Sequence, residues 1–223
     1  MKFSIYEQSL LTENQKNEII NQINKKGLIY SNNVNEFDYL FGFGGDGTFL
    51  SALKKFMDLK IKIILFNAGR LGFLSSTQNY LDFNGHYKEF DYLEVLVNDQ
   101  KFQCINEIII NSNQMYSSNL LINDYEFKSL MTNQINVVNN LGSTGINRSN
   151  LKPLIFPWNH QYIIDVKNEP LYHYYKPLLQ PLVLSNTDIS SFNFNQSTNL
   201  TITIDNQLIK QNINLQNLRI TQK

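Results

Sequence analysis

Cys104 is the only cysteine in the chain, so no disulfide can form within it and no cysteine cluster can hold zinc. Neither charge sign is in excess: 19 Lys and Arg balance 19 Asp and Glu. That argues against a nucleic-acid partner and against an acidic tail. No apolar run approaches the roughly 18 residues that a membrane-spanning helix needs. The start, Met1-Lys2-Phe3-Ser4-Ile5-Tyr6, lacks the apolar stretch of a signal peptide. A reducing cytoplasm is the expected location, with no membrane partner. His86, His160 and His173 show no metal-ligand spacing, and no Ser-His-Asp arrangement can be argued. Alanine and glycine are scarce, while Asn, Ile, Lys and Tyr are heavily used. This pattern fits nucleotide bias in an AT-rich genome, so a lone Asn carries little information.

What is present suffices for a core: 42% of the residues are hydrophobic and 17% charged. The length suits one large domain or two small ones. The first third alternates strands and helices. Lys2 to Tyr6 reads as a strand. Thr12 to Lys26 reads as a helix, with Thr12 and Gln15 as a capping box and Ile19, Ile20 and Ile23 as its apolar stripe. Tyr39 to Phe43 and Ile61 to Phe66 read as buried strands flanking a helix over Phe49 to Met57. This order predicts a parallel sheet with both faces covered. After about residue 84 the pattern changes to alternating strands. Asn98-Asp99, Asn123-Asp124 and Asp205-Asn206 are two-residue hairpin signals. Lys101 to Ile110 reads as one strand of that half. The expected fold is an α/β domain over residues 1–84 and a mostly antiparallel β-sandwich domain over residues 85–223. A shared interface would be a natural place for a ligand cleft.

Four short segments can carry chemistry. Gly44-Gly45-Asp46-Gly47-Thr48 places a carboxylate inside a glycine-rich loop between strand and helix. Glycines let backbone N–H groups approach a phosphate closely. A carboxylate there would repel phosphate unless it held Mg²⁺ or took a proton from an attacking hydroxyl. The competing reading makes Asp46 or Thr48 a helix cap, but four glycines from Gly42 to Gly47 exceed what a cap requires. The loop is neither a Walker loop nor a dinucleotide fingerprint. Asn67-Ala68-Gly69-Arg70-Leu71-Gly72-Phe73-Leu74 follows the next strand, where α/β sheets bind ligands. Asn67 and Gly69 are its candidates, against an ordinary turn packed on Leu71, Phe73 and Leu74. Asn106-Glu107 interrupts an apolar strand. An amide can address an adenine edge and a carboxylate the two hydroxyls of a ribose, unless the pair simply faces water on an edge strand. Gly142-Ser143-Thr144-Gly145, with Asn147 and Ser149 behind it, suits close approach to a base or sugar, or is a plain turn.

In this order the four segments resemble the NAD kinase family: a GGDGT loop, an Asn-x-Gly-x-Leu-Gly-Phe-Leu segment, an Asn-Glu pair and a Gly-Ser-Thr segment. GGDGT alone is shared with diacylglycerol and sphingosine kinases. Asn67 to Leu74 and Asn106-Glu107 are more specific. The similarity runs from about Asp38 to Ser149. It implies ATP-dependent phosphorylation of the adenosine ribose 2′-hydroxyl of NAD, with Mg²⁺ accompanying ATP and a homodimer or homotetramer as the assembly. It also implies Asp46 as base, Gly44, Gly45, Gly47 and Thr48 as phosphate loop, and Asn67, Gly69, Asn106, Glu107, Thr144, Gly145, Ile146 and Ser149 as NAD contacts. The chain departs from the family at Ile146, where a tyrosine is usual. It departs again near Asn133 and Gln134, where Gly-Asp-Gly is usual, and at Asn150-Leu151-Lys152, which replaces a glycine pair. Two rivals follow: a small-alcohol or lipid kinase using the same loop, and a nucleotide-binding regulator without turnover.

Overall fold

The computed structural model describes residues 1–33, 36–56, 59, 61–68, 74, 80–82, 89–144, 152–156, 158–171, 175–195 and 199–223. They divide into two compact units, Met1–Lys88 and Glu89–Lys223.

The first unit is built on a parallel sheet. Its strands are β1 (Lys2–Ile5), β2 (Ile29–Tyr30), β3 (Tyr39–Gly44) and β4 (Lys62–Asn67), in the order β2-β1-β3-β4. Helix α1 (Glu13–Asn24) follows β1, and α2 (Asp46–Phe56) joins β3 to β4. Thr12 caps α1 with the expected reciprocal box: its hydroxyl accepts from Gln15 N–H, and the Gln15 side chain accepts from Thr12 N–H. Every residue of β3 is buried. Tyr39, Phe41 and Phe43 pack with Phe3, Ile5, Ile19, Ile23 and Phe66. Leu40 packs with Tyr6, Phe37, Ala52 and Phe56. The alternation therefore sends one side of β3 to α1 and the other to α2. Helix α2 starts at Asp46, three residues before the Phe49 expected from apolar periodicity. The glycine-rich loop itself supplies the first turn, which an apolar pattern cannot reveal.

The second unit is antiparallel. Its strands are β5 (Leu93–Val97), β6 (Gln100–Cys104), β7 (Glu107–Ile122), β8 (Tyr125–Asn139), β9 (Gln161–Lys167), β10 (Leu182–Ser185), β11 (Ile189–Phe194), β12 (Asn199–Ile204), β13 (Gln207–Asn214) and β14 (Asn217–Gln222). The sheet order is β10-β9-β8-β7-β11-β14-β5-β6, with β12 on β7 and β13 on β12. β7 pairs with β8 on both sides of a register break, and its other edge has two partners. Ile108–Asn111 lie against β12 and Ser118–Ile122 against β11. The change occurs where the β7–β8 register breaks, between Asn111 and Tyr116. Such a break lets one strand bend between two layers. Both halves then enclose one core that includes Val95, Ile110, Leu120, Ile135, Phe192, Leu200, Ile202 and Leu218. The three expected hairpin turns are present, with positive φ at Asn98, Asp99, Asn123, Asp124, Asp205 and Asn206. The expected continuous strand from Lys101 to Ile110 is instead two, β6 and β7, broken at residues 105 and 106. Among the described residues no helix is long and apolar enough to cross a membrane.

Two buried phenols give the second unit an alkaline sensitivity. Tyr162 is 0% exposed, and its hydroxyl donates to the Asp188 carbonyl at 3.1 Å. Burial pushes its pKa up to about 12. Burial raises Tyr116 as well, whose hydroxyl donates to the Ile110 carbonyl at 3.1 Å. An unfolded tyrosine titrates near 10, so above that pH the unfolded chain sheds these protons first. Stability from Tyr162 is full below pH 10 and is lost as pH rises towards 12. Denaturant titrations at pH 9 and 11 should show the native chain losing about 1.4 kcal/mol more than a Tyr162→Phe variant. Equal losses would mean that Tyr162 ionises freely in the folded state.

Candidate active site

In the first unit the candidate GGDGT loop lies where β3 hands over to α2. The Gly45 carbonyl accepts from Thr48 N–H at 3.0 Å and Phe49 N–H at 3.4 Å, so Gly45 occupies the capping position and Asp46 the first helical residue. An aspartate in the first turn faces the positive end of the helix dipole. The Asp46 carboxylate also reaches across the unit: Oδ1 accepts from Leu74 N–H at 2.9 Å. It thereby ties the loop after β3 to the far end of the segment that follows β4. Asn67, exposed at the end of β4, stands opposite Gly44 in the strand register. Ala68 N–H donates to the Gly44 carbonyl at 3.3 Å. Both glycine-bearing segments therefore leave the sheet at one edge, the carboxyl ends of β3 and β4.

The glycines of this loop do different work. A Cβ on Gly44 would lie 2.2 Å from the Thr48 hydroxyl, so Gly44 exists to let the first turn of α2 sit on the strand. Thr48 is half-buried against it. Among the described residues, a Cβ on Gly47 would meet nothing within 4 Å. Neither residue has a left-handed backbone. Gly44 thus serves packing, while Gly47 has no close neighbour among the described residues. Sequence reasoning missed the segment after β1. Leu10 N–H donates to the Phe43 carbonyl at 2.7 Å, and the Ser9 hydroxyl accepts from Phe43 N–H at 3.1 Å. Strand order reverses between β1 and β3, the usual position for a ligand crevice in such sheets. Only that order, invisible locally, marks Ser9 and Leu10 as neighbours of the loop.

In the second unit Asn106 lies between β6 and β7, and Glu107 is the first residue of β7. Glu107 is 3% exposed and Asn106 half-buried, so this is no edge-strand pair facing water. The Gly-Ser-Thr segment forms a short 3-10 helix, Leu141–Thr144, pressed directly onto Asn106. A Cβ on Gly142 would lie 2.1 Å from the Asn106 carbonyl oxygen. Ser143 is 0% exposed. Its hydroxyl lies 2.8 Å from the carbonyls of Asn140 and Ile155 and accepts from Ile155 N–H at 3.1 Å. Ser143 therefore pins the turn. Sequence reasoning also did not weigh Asn139 or Asp205 as site residues. Asn139, 0% exposed, donates from its side chain to the carbonyls of Asp91 and Ile105. The Asp205 carboxylate accepts from Asn106 N–H at 2.6 Å. Gly69, Gly145, Ile146 and Ser149 lie outside the described residues, as do residues 70–73, Asn147 and the side chain of Thr144. Among the described residues no three His, Cys, Asp or Glu side chains gather as a cation site.

The model of the ATP-NAD kinase N-terminal domain matches residues 6–86, which lie within the first unit. An NAD kinase of Ureaplasma parvum is 29% identical over 194 residues, covering 82% of this chain and 71% of the relative. One of Mycoplasmoides gallisepticum is 31% identical over 182 residues, covering 78% and 65%. Alignments of that length run through both units. Along both units the chain is similar to NAD kinases. Its fold agrees over the full chain with that of an Archaeoglobus fulgidus NAD kinase solved in complex with ATP. There the TM-score is 0.73 at 20% identity, covering 100% of this chain and 90% of the other. A yeast NADH kinase complexed with NADH gives the same TM-score at 14% identity, covering 100% and 80%. The NAD kinase fold thus accounts for both units, the parallel sheet and the antiparallel one.

The different roles of the glycines can be separated by adding one methyl group. Gly44→Ala and Gly142→Ala should each cost about 1–3 kcal/mol in urea unfolding, because each Cβ would overlap atoms already packed there. Gly47→Ala should be neutral or stabilising by up to about 1 kcal/mol, since no described residue crowds the position and alanine favours a helix. A Gly47→Ala variant as unstable as Gly44→Ala would mean that the position is crowded.

Proposed function

We propose that the protein transfers the γ-phosphoryl group of ATP to the adenosine ribose 2′-hydroxyl of NAD, giving NADP, with Asp46 as general base. One observation carries this reading. A carboxylate occupies the first turn of a helix at the carboxyl end of a parallel strand, and among the described residues nothing crowds the adjacent Gly47. Phosphate approaches such a helix end through backbone N–H groups, and a carboxylate beside it can orient a hydroxyl. Similarity to NAD kinases supports the choice of acceptor, and the ATP and NADH complexes of the related folds support both substrates.

A carboxylate is too weak a base to strip a sugar hydroxyl in the ground state. Asp46 first holds the 2′-hydroxyl in line with the phosphorus and receives its proton late, as the new O–P bond forms and the bond from phosphorus to the ADP oxygen breaks. Leu74 N–H, bonded to Oδ1, fixes the rotation of the carboxylate. Gly45, Gly47 and the start of α2 receive the donor phosphates, and Thr48 and Gly44 keep that turn seated on β3. Asn67 borders the same edge. Asn106 and Glu107 contact the adenine and ribose of NAD, with Gly69, Thr144, Gly145, Ile146 and Ser149 completing its site. A divalent cation, Mg²⁺, fits as a ligand of the triphosphate, since one or two carboxylates with substrate phosphates suffice to hold it. When bound it offsets the charge between donor phosphates and Asp46.

Purified protein with NAD, ATP and Mg²⁺ should form NADP. Asp46→Asn preserves the shape of the turn but cannot accept the proton, so kcat should fall by about 10²–10⁴-fold with a smaller effect on KM. Near-native turnover would remove the base assignment. Tight NAD binding without NADP formation would point to the regulator, and preference for a long-chain lipid alcohol over NAD to the lipid kinase.

The proposal includes a cytoplasmic location and self-association as a homodimer or homotetramer through the strand-rich unit, whose sheet edges need covering. Sedimentation at micromolar concentration should show a species at least twice the 26.0 kDa chain mass. A lone monomer would overturn this assembly.

A further inference from the structure

At the β6–β7 junction all six backbone polar groups of Ile105, Asn106 and Glu107 are engaged by two residues distant in sequence. Asp205 takes the donors. Its carboxylate accepts from Ile105 N–H at 3.0 Å, Asn106 N–H at 2.6 Å and Glu107 N–H at 3.4 Å, with the Cys104 thiol 3.8 Å away. Three successive N–H groups turned towards one point form an anion-binding concavity, and here the anion is internal. The acceptors are taken by Asn139 and by Asp205 again. Asn139 Nδ2 donates to the Ile105 carbonyl at 3.0 Å, Asn139 N–H to the Asn106 carbonyl at 2.8 Å, and Asp205 N–H to the Glu107 carbonyl at 2.9 Å. Asp205 is 7% exposed and Asn139 0%. Both are themselves fixed. Asp205 sits at φ 49° in the β12–β13 turn, and the Asn139 side-chain oxygen accepts from Gln222 Nε2 at 2.8 Å.

From this we infer that Asp205 is a positioning residue for nucleotide recognition. It holds the backbone of Asn106 from one side, with Asn139 holding it from the other, so that the Asn106 side chain is presented in one orientation. The inference rests on the proposed role of Asn106 in contacting NAD. A recognition amide on a loose strand junction would have to be ordered by the ligand at each binding event. A clamped one has that ordering built in, and a displacement of even about 1 Å weakens productive contact. Asp205 touches no substrate in this scheme. Its effect passes through Asn106 and is specific for the nucleotide that Asn106 meets.

Asp205→Asn keeps the volume but sets an NH₂ against an N–H that the carboxylate now receives. In the whole protein, amide hydrogen exchange at residues 105–107 should speed by about tenfold or more, with β7 and β8 beyond them unchanged. KM for NAD should rise by about tenfold, while KM for ATP and kcat stay within about twofold. In an Asn106→Ala background the same substitution should change KM for NAD by less than about twofold, because the group it positions is already gone. Asp188→Asn is the matched control. Asp188 likewise holds a turn, accepting from Ser185 N–H and from Asn123 Nδ2, and its loss should leave the NAD-to-ATP balance of KM unchanged. If Asp205→Asn does not fold, Asn139→Ala loosens the opposite side and carries the same expectations. Native exchange at residues 105–107, a KM for ATP that rises in step with that for NAD, or full additivity with Asn106→Ala would each overturn the inference. Failure of the native protein to form NADP would overturn the kinase reading alone. The clamp would then be decided by exchange at residues 105–107.

Discussion

Strand β7 has to satisfy two different partners along one edge, and the second unit is organised around that constraint. Its first half lies between β8 and β12, its second between β8 and β11. The register that results fixes more than the core. Ile204 pairs with Ile108, which carries the following Asp205 to the start of β7. Val138 pairs with Glu107 from the opposite side, which carries Asn139 there as well. The two residues that bind the backbone of Asn106 therefore arrive as the ends of neighbouring strands. A slip of one residue in either ladder would turn the core side chains of that strand outward, so burial of Ile108, Ile110, Ile202 and Ile204 also protects the geometry of the junction.

The first unit achieves its local precision differently. β3 is buried on both faces, so neither strand nor register can shift without exposing aromatic rings such as Phe41 and Phe43. Onto the carboxyl end of this immobile strand the chain places a helix start with almost no linker. Gly44 is what makes that possible, since any side chain there would occupy the space of Thr48. The glycines of the loop are thus not interchangeable. One removes a steric obstacle between helix and strand, and another has no close neighbour among the described residues. Asp46 lies between them, with its carboxylate anchored to Leu74 N–H. Such an anchor fixes the direction of the carboxylate when the protein folds.

Much of this was legible in the chain. The Thr12–Gln15 capping box, the apolar strands, the Asn98-Asp99, Asn123-Asp124 and Asp205-Asn206 turns and the GGDGT loop are all local signals, each depending on residues within a few positions of one another. Where the reading failed, the cause lay in packing that apolar periodicity does not register. The strand expected over Lys101 to Ile110 breaks because Asp205, some hundred residues later, withdraws three N–H groups from any ladder. Helix α2 begins at Asp46 because Gly44 permits the packing, although apolar periodicity starts only at Phe49.

By itself, then, the sequence determined the element types, the change from parallel to antiparallel architecture and the family that the site motifs resemble. Turn dihedrals, caps and hydrophobic periods are short-range properties that side chains impose on their own backbone. Tertiary structure alone decided which residues stand beside those motifs: Ser9 next to Phe43, Leu74 on Asp46, and Gly142, Asn139 and Asp205 around Asn106. Those neighbours are set by strand order and register, which depend on burying a core assembled from the whole unit, and no local stretch of chain contains that information.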